Sequence, residues 1–239
     1  MKKYFEYKFN TEIENKLSDY YENTNLNQHN ANHFLKSNLK LKRISQLVPF
    51  VKDDVVLDVG CSFGHFLSII APKIKKGKGI DISTNIINSN IKNNQIDNIS
   101  FEVFNGSTLN SIEVYNKVLL IDVLEHAFYP DLLIKTIKDT MASNAILIIE
   151  VPFTGFLSEL VFGEYHQGHL RYYDPRYLSE YVKRFGFEIV KLKTFNSVPL
   201  ASKFIKYPNI FIFLDFLLNL IPSKMYPYFG EIILVCKKI

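Results

Sequence analysis

A predicted strand runs into a glycine turn near residue 60, and the residue types there suit the binding of a small ligand. The strand is the apolar run Val55–Val59, and residues 60–65 read Gly-Cys-Ser-Phe-Gly-His. Gly60 permits a tight turn with a positive φ, and Gly64 allows the next helix to pack closely. The first N–H groups of that helix would then face the ligand. We predict that this site is lined by Gly60, Cys61, Phe63 and Gly64.

Two acidic residues accompany the turn, and their spacing favours a ligand that contains a nucleoside. Asp58 lies just before the turn and could hold a positively charged amine of the ligand. Asp81 follows 23 residues later, at the end of a second predicted strand, with Ile82 beside it. One carboxylate at that place can accept hydrogen bonds from both hydroxyls of a ribose. The G-x-G-x-x-G spacing of a dinucleotide site is missing here, which argues against NAD.

Four segments in the correct order resemble motifs of the class I (Rossmann-like) S-adenosylmethionine-dependent methyltransferases of the small-molecule type. Residues 56–64, Val-Leu-Asp-Val-Gly-Cys-Ser-Phe-Gly, are similar to the first motif of that family. Residues 79–83, 119–126 and 185–189 resemble the second motif, the fourth motif and a strand near the end of the domain. The resemblance covers residues 53–194. It implies that the chain binds S-adenosylmethionine and transfers its methyl group.

The resemblance also implies further cofactor contacts, and the chain departs from the family's pattern at two positions. Asp122 and Val123, after the fourth strand, are interpreted as cofactor-side residues. Ser62 stands where the family more often has Gly. Residues 105–107, Asn-Gly-Ser, fall where relatives usually place Gly-Asp, so Gly106 and Ser107 would line the adenine pocket. Ser107 is neutral and therefore a weaker hydrogen-bond partner than an Asp.

Three histidines lie where a general base could reach an acceptor beside the sulfonium methyl group. His126 follows the fourth predicted strand, and His166 and His169 lie in the loop after the fifth. Histidine can take up a proton near neutral pH. His126 could alternatively cap or orient its own loop. Residues 169–173, His-Leu-Arg-Tyr-Tyr, resemble a segment whose role in the family can be structural, so His169 is either a base or a positioning residue.

The loop over residues 163–173 combines aromatic, basic and acidic side chains, and such density on a connection indicates function. We predict substrate contacts from Tyr165, Arg171 and Tyr172. No metal site is expected. Magnesium would need a set of oxygen ligands that the sequence does not identify, and zinc at the two loop histidines would lack a third ligand at a suitable spacing.

All these residues follow predicted strands that alternate with helices from Asp53 onward. The expected fold is α/β, with three layers and a doubly wound, mostly parallel sheet of seven strands whose last strand is antiparallel. Ligands bind at the carboxyl ends of the strands in such sheets. The predicted strands are Val55–Val59, Lys78–Ile82, Ile99–Phe104, Val118–Asp122, Ala145–Val151, Phe187–Leu192 and Ile232–Val235. The predicted helices of the domain are Gly64–Ala71, Asn85–Asn93, Asp131–Met141 and Pro175–Phe185.

Two segments of the chain lie outside this α/β core. Residues 1–50 are predicted to form an N-terminal helical lid, with one helix over residues 31–48, and residues 51–239 form the Rossmann-like domain. An insert over residues 197–229 carries an apolar stretch, residues 210–221, which we interpret first as a helix buried against the domain. A homodimer face and a hydrophobic substrate channel are the alternatives. A membrane-surface helix would need a basic polar face, which the stretch lacks.

The composition limits the expected partners and location. The formal net charge is +4, and the Lys and Arg residues are spread along the chain, so a nucleic-acid substrate is not expected. The only two cysteines, Cys61 and Cys236, argue against a disulfide framework and favour the cytoplasm. The longest apolar stretch is shorter than the about 20 residues of a transmembrane helix, so no transmembrane segment is expected.

The expected acceptor is a small molecule that is methylated at O or N. The polar and aromatic loop favours a sugar or a nucleotide-linked sugar, whereas the apolar insert favours a quinone or lipid precursor. Two rival classes stay open. One is a nicotinamide-dependent oxidoreductase, and the other is a cofactor-binding protein that only assembles with partners.

Overall fold

The computed structural model describes residues 31–104, 114–154, 169–197, 207–222 and 229–239, in which strands and helices alternate. The strands are β1 (Val55–Val59), β2 (Lys76–Asp81), β3 (Ile99–Val103), β4 (Tyr115–Ile121), β5 (Met141–Thr154), β6 (Phe187–Asn196) and β7 (Phe229–Lys238). The helices are α1 (Ala31–Leu47), α2 (His65–Ile70, followed by a 3₁₀ turn over Ala71–Lys73), α3 (Thr84–Asn93), α4 (Pro130–Thr140), α5 (Pro175–Lys183) and α6 (Pro208–Leu218).

The seven strands form one sheet in the order β3-β2-β1-β4-β5-β7-β6. β7 runs antiparallel to both of its neighbours, and the other neighbouring pairs are parallel. The predicted fold class, including the antiparallel last strand, is therefore confirmed. The strand order reverses between β1 and β4, so the carboxyl ends of these two strands border the crevice where such sheets bind ligands.

Helices cover both faces of the sheet, as the predicted three layers require. α1 and α2 pack on one face through side chains that include Ile44 and Leu67. α4 and α5 pack on the other face through side chains that include Ile134 and Leu178. Because successive strand residues point to opposite faces and both faces are covered, the central strands read as continuous apolar runs.

Several strands extend beyond their predicted ends. The apolar pattern predicts Ala145–Val151 for β5, whereas the strand covers Met141–Thr154. Its last residues pair with β7, up to Thr154 opposite Phe229. The apolar run marks only the centre of the strand, while its ends are held by backbone pairing with neighbouring strands, which hydropathy does not reveal.

α1 packs against the domain and is held there by ion pairs. The Arg43 guanidinium lies 2.6 Å from Asp215 Oδ1 in α6 and 2.5 Å from Glu231 Oε2 in β7. Leu41 and Ile44 of the same helix are buried in the core. The remainder of the predicted lid, residues 1–30, lies outside the described residues.

The apolar insert differs from its first interpretation. Phe211 of α6 is buried against the apolar side of α1. However, Ile210, Phe213 and Phe216 are exposed, Phe216 by 60%. The prediction of a buried helix is therefore wrong for most of these apolar side chains, since only one stripe of α6 meets the domain. Among the described helices, none combines the length and the apolar character that crossing a membrane requires.

Candidate functional site

The turn after β1 has the backbone conformation that we predicted for it. Gly60 has a φ of 70° and Gly64 a φ of 71°. A Cβ atom at Gly60 would lie 2.3 Å from Val123 Cγ2, and one at Gly64 would lie 2.6 Å from Phe101 Cζ. Both positions therefore need glycine for conformation and for space. The turn is fastened to the next strand, because the N–H groups of residues 60 and 61 donate to the carbonyl of Ile80.

The two predicted acids lie at this turn, in different environments. Asp81 accepts hydrogen bonds from the Ser62 N–H at 2.9 Å and from the Ser83 N–H at 3.0 Å, so it braces the turn. Asp58 is only 1% exposed, and its Oδ2 has no hydrogen-bond partner among the described residues. Burial, reinforced by the charge of Asp81, raises the pKa of Asp58 to about 8. A buried carboxyl of this kind has a vacant acceptor for a cationic ligand group.

The other predicted cofactor residues are distributed around the turn. Cys61 is buried, and burial raises the pKa of its thiol well above the usual range, so it packs as an apolar group. Phe63 is half-buried, and Ile82 is exposed by 45%. Gly106 and Ser107 lie outside the described residues, so the predicted adenine pocket stays a prediction.

Two segments that are distant along the chain are joined after β4. The N–H groups of Leu170 and Arg171 donate to the carbonyl of Glu125 at 2.8 and 3.2 Å. The Arg171 guanidinium donates to the carbonyls of Ala127 and Phe128. Arg171 is only 2% exposed. This placement favours a structural role for Arg171 in place of the substrate contact that we predicted.

The joined segments bring two of the predicted bases together. The rings of His126 and His169 meet edge to face with their centroids 4.7 Å apart. Tyr172 lies beside them, with its ring centroid 5.9 Å from that of His169. The buried carboxyl of Glu125 completes the group, since its Oε1 lies 3.8 Å from His126 Nε2. Burial, together with the charge of Asp122, raises the pKa of Glu125 well above its usual range.

His166 and Tyr165, the remaining predicted catalytic and substrate-binding residues, lie outside the described residues. The cluster of Glu125, His126 and His169 is a possible set of metal ligands that the sequence analysis did not identify. The two histidines weighed above as zinc ligands lie in one loop, whereas this cluster takes one imidazole from each of two segments.

A lysine that the sequence analysis missed enters the same sheet edge from α1. Lys40 Nζ lies 2.5 Å from Asp122 Oδ2 and 2.9 Å from Glu150 Oε2. Burial opposes the charge of Lys40, but the attraction of the two carboxylates outweighs it and raises the pKa of the ammonium. We predicted Asp122 as a cofactor contact, and here its carboxylate binds the ammonium of Lys40. Glu150 was detectable as an acid inside an apolar run, since a buried carboxylate requires a partner.

A doubly wound sheet in this order, with a glycine turn after β1 and acids at β1 and β2, defines a Rossmann-like nucleoside-binding protein. The sequence profile of the methyltransferase-domain family matches residues 28–192. The chain therefore belongs to that family, and its cofactor is S-adenosylmethionine. The turn fits this cofactor, because the buried Oδ2 of Asp58 has no hydrogen-bond partner among the described residues and can accept from an ammonium group.

One curated enzyme and several solved structures are similar to the chain. (S)-coclaurine N-methyltransferase of Thalictrum flavum subsp. glaucum is 24% identical over 100 residues, which cover 40% of this chain but only 28% of that enzyme. The structure of coclaurine N-methyltransferase bound to N-methylheliamine and SAH has a TM-score of 0.61 at 15% identity, covering 97% of this chain and 89% of that one. An S-adenosylmethionine-dependent methyltransferase from Mesorhizobium loti has a TM-score of 0.61 at 13% identity, covering 85% and 100%. At such identities the solved structures establish the shared fold.

Proposed function

We propose that this chain transfers the methyl group of S-adenosylmethionine to a hydroxyl oxygen of a small molecule bound beside His126 and His169. The observation that carries the proposal is the cluster that these imidazoles form with the buried carboxyl of Glu125. The cluster follows β4, and β4 pairs in parallel with β1, which leads into the glycine turn. A cofactor in the turn and an acceptor at the cluster would therefore occupy the same sheet edge.

The reaction needs a positioned nucleophile and a route for one proton. The acceptor oxygen attacks the methyl carbon, the S–CH3 bond breaks, and its electron pair returns to sulfur, which becomes a neutral thioether. Holding the two reactants in line can lower the barrier by several kcal/mol, roughly 7–11 in the best intramolecular cases. An imidazole of His126 or His169 can accept the proton that the hydroxyl loses.

A hydroxyl acceptor accounts for this cluster better than an amine does. A neutral amine already presents a nucleophilic lone pair, whereas a hydroxyl becomes strongly nucleophilic only as its proton leaves. A group of two imidazoles and a carboxyl is therefore most useful to a hydroxyl acceptor. An amine acceptor is the second candidate, and the similarity to (S)-coclaurine N-methyltransferase favours it.

Two features support particular hydroxyl acceptors. Tyr172 beside His169 could stack on a sugar ring or an aromatic ring, which agrees with the predicted substrate contact. The exposed apolar side chains of α6 favour an apolar acceptor, such as a quinone precursor. These same side chains keep the predicted homodimer face open as an alternative use of the insert.

A panel of sugars, catechols, phenols and amines tests the proposal when formation of S-adenosylhomocysteine is followed. We expect methylation of at least one hydroxyl compound, and we expect His126→Ala to lower kcat by about 10²–10⁴-fold. Arg176→Ala, at an exposed site on α5, is the matched control and should keep full activity. Transfer to amines alone would favour the second candidate. Cofactor binding without transfer to any acceptor would overturn the proposal in favour of a non-catalytic partner protein.

A further inference from the structure

We propose that Glu125, His126 and His169 form a binding site for one divalent transition-metal ion of the Zn²⁺ class. They offer one carboxylate oxygen and two imidazole nitrogens, and these three ligand atoms all lie within 4.8 Å of one another. Two imidazoles with one carboxylate form the protein ligand set of many catalytic zinc sites and of mononuclear iron sites. Such sites keep coordination positions open for water or substrate.

The spacing of one pair of ligand atoms is close to what an ion needs, and the third ligand atom lies within 4.8 Å of both. Glu125 Oε1 and His126 Nε2 lie 3.8 Å apart. With metal–ligand bonds of about 2.0–2.2 Å, two ligands of a tetrahedral ion are separated by about 3.3–3.6 Å. A side-chain movement of a few tenths of an ångström, roughly the difference between these values, would complete the coordination of this pair.

The three ligands are held in place by the protein itself. The N–H groups of residues 170 and 171 donate hydrogen bonds to the carbonyl of Glu125, which fixes His169 next to His126. The Arg171 guanidinium and the Tyr173 hydroxyl donate to carbonyls of the same β4 loop. Outer contacts that orient ligands in this way are typical of metal sites.

A second observation also points to a cation at this place. Glu125 is 1% exposed, and neither of its carboxylate oxygens has a hydrogen-bond partner among the described residues. A buried carboxylate is costly without a positive group or a donor. The ammonium of Lys40 forms ion pairs with Asp122 and Glu150 and not with Glu125. A metal ion between the carboxylate and the two imidazoles would supply the missing positive charge.

The inference deepens the proposed function and rests on it for the nature of the acceptor. With three protein ligands, an ion keeps at least one position for the acceptor oxygen. Coordination lowers the pKa of a bound hydroxyl, so its proton can leave to water while the imidazoles act as ligands. The oxygen then takes the methyl group, and the electron pair of the S–CH3 bond stays on sulfur. A vicinal diol or a catechol, with two adjacent oxygens, would suit two open positions.

Titration of the metal-stripped full-length chain with Zn²⁺ tests the site without any acceptor. We expect one ion per chain by calorimetry. Glu125→Gln and His169→Ala should each weaken this binding by at least about tenfold, since even outer contacts are worth about 10–100-fold. Glu180→Gln, at an exposed site on α5, is the matched control and should bind like wild type. Co²⁺ added in place of Zn²⁺ should give the visible absorption of a coordinated ion, which both ligand variants should lose.

Different results would separate this inference from the proposed function. Zn²⁺ binding that is absent from wild type, or that is equal in wild type and in both folded ligand variants, would overturn the metal site. Full methyl transfer in the presence of a chelator, with activity lost in His126→Ala, would also overturn it and would leave the proposed function standing with imidazole as the base. One Zn²⁺ per chain without transfer to any hydroxyl compound would support the site and count against the proposed acceptor.

Discussion

The imidazole rings of His126 and His169 lie with their centroids 4.7 Å apart, although they belong to segments that are distant along the chain. Their proximity depends on the pairing of the loop after β4 with residues 169–173. Arg171 stands at the centre of this pairing, because its backbone and its guanidinium both donate to carbonyls of that loop. The pair of His126 and His169 is therefore held together by a structural arginine.

Arg171→Met should lower stability and turnover while leaving the cofactor affinity unchanged. Its removal leaves the carbonyls of Ala127 and Phe128 without their donor, and a hydrogen bond to a charged group contributes about 1.5–3 kcal/mol. Denaturant unfolding measures the stability, and calorimetry with S-adenosylhomocysteine measures the affinity. Arg176→Met, exposed on the following helix, should change neither. Normal stability and turnover in Arg171→Met would show that Arg171 has no positioning role.

Lys40→Met should destabilise the fold by about 3 kcal/mol at neutral pH, because it leaves the buried carboxyl of Glu150 without its cation. The carboxyl can then avoid an unpaired charge only by staying protonated. Burial raises the pKa of Asp122, but the charge of Lys40 outweighs burial and lowers this pKa, so the pairing with Asp122 contributes stability above the ordinary Asp pKa of about 3.9. The loss caused by Lys40→Met should therefore shrink as pH falls to about 4 and below. Urea unfolding at several pH values measures this dependence.

Lys42→Met is the matched control, since Lys42 lies on the same helix and is exposed. It should stay within about 0.5 kcal/mol of wild type. Equal effects of the two substitutions would show that Lys40 does not bridge α1 to the sheet.

Asp58 should make cofactor affinity depend on pH. Its folded pKa of about 8, raised by burial, means that the carboxyl is mainly protonated near pH 6.5. If the cationic amine of the cofactor binds the ionised form, binding releases a proton and affinity rises with pH. The gain should approach about tenfold per pH unit up to pH 7.5 and then level off, because the ligand's own amine loses its proton at a pKa of about 8.

Calorimetry in buffers of different ionisation enthalpy measures the proton release directly. Asp58→Asn should bind more weakly, with no such proton release. A wild-type affinity that is flat between pH 6 and 7.5 would remove Asp58 from the amine site.

Ser62→Gly should raise stability, by up to about 1 kcal/mol. Ser62 has a φ of 45°, a left-handed conformation that costs a non-glycine residue roughly 1–2 kcal/mol. The added freedom of glycine in the unfolded chain offsets part of this gain. The bonds of the turn persist, because Asp81 and Asn90 contact the backbone of Ser62. Ser62→Ala, which keeps the strain, should show no gain in thermal unfolding. If Ser62→Gly is less stable than wild type, the left-handed backbone at Ser62 does not cost the fold stability.

The sheet could be predicted well from the sequence, because strands that are buried on both faces appear as continuous apolar runs. β1 was predicted at its observed limits, Val55–Val59, since an apolar run bounded by Asp and Gly leaves little choice. β6 and β7 were predicted too short, because the outer parts of an antiparallel ladder depend on pairing partners. The exposed side of α6 could not be foreseen either, since apolar composition does not say how many neighbours a helix meets.

In the site, features that depend on local spacing were predicted and features that depend on tertiary approach were missed. The positive φ at Gly60 follows from the turn itself. Lys40 reaches Asp122 only because α1 packs across the carboxyl edge of the sheet, and nothing in its local sequence marks that approach. The place of Glu125 in the cluster could not be foreseen from its local sequence, because its approach to His169 depends on the pairing of two loops.

Calorimetric titration of wild type and Asp81→Ala with S-adenosylhomocysteine tests most directly whether the glycine turn and its acids bind the cofactor. We expect wild type to bind and Asp81→Ala to bind more weakly by about 1–3 kcal/mol, the cost of leaving hydrogen-bonding groups unpaired. Asp97→Ala, at an exposed site before β3, should bind like wild type. Equal affinity of wild type and Asp81→Ala, or binding of NAD in place of S-adenosylhomocysteine, would contradict the assignment of this turn as the cofactor site.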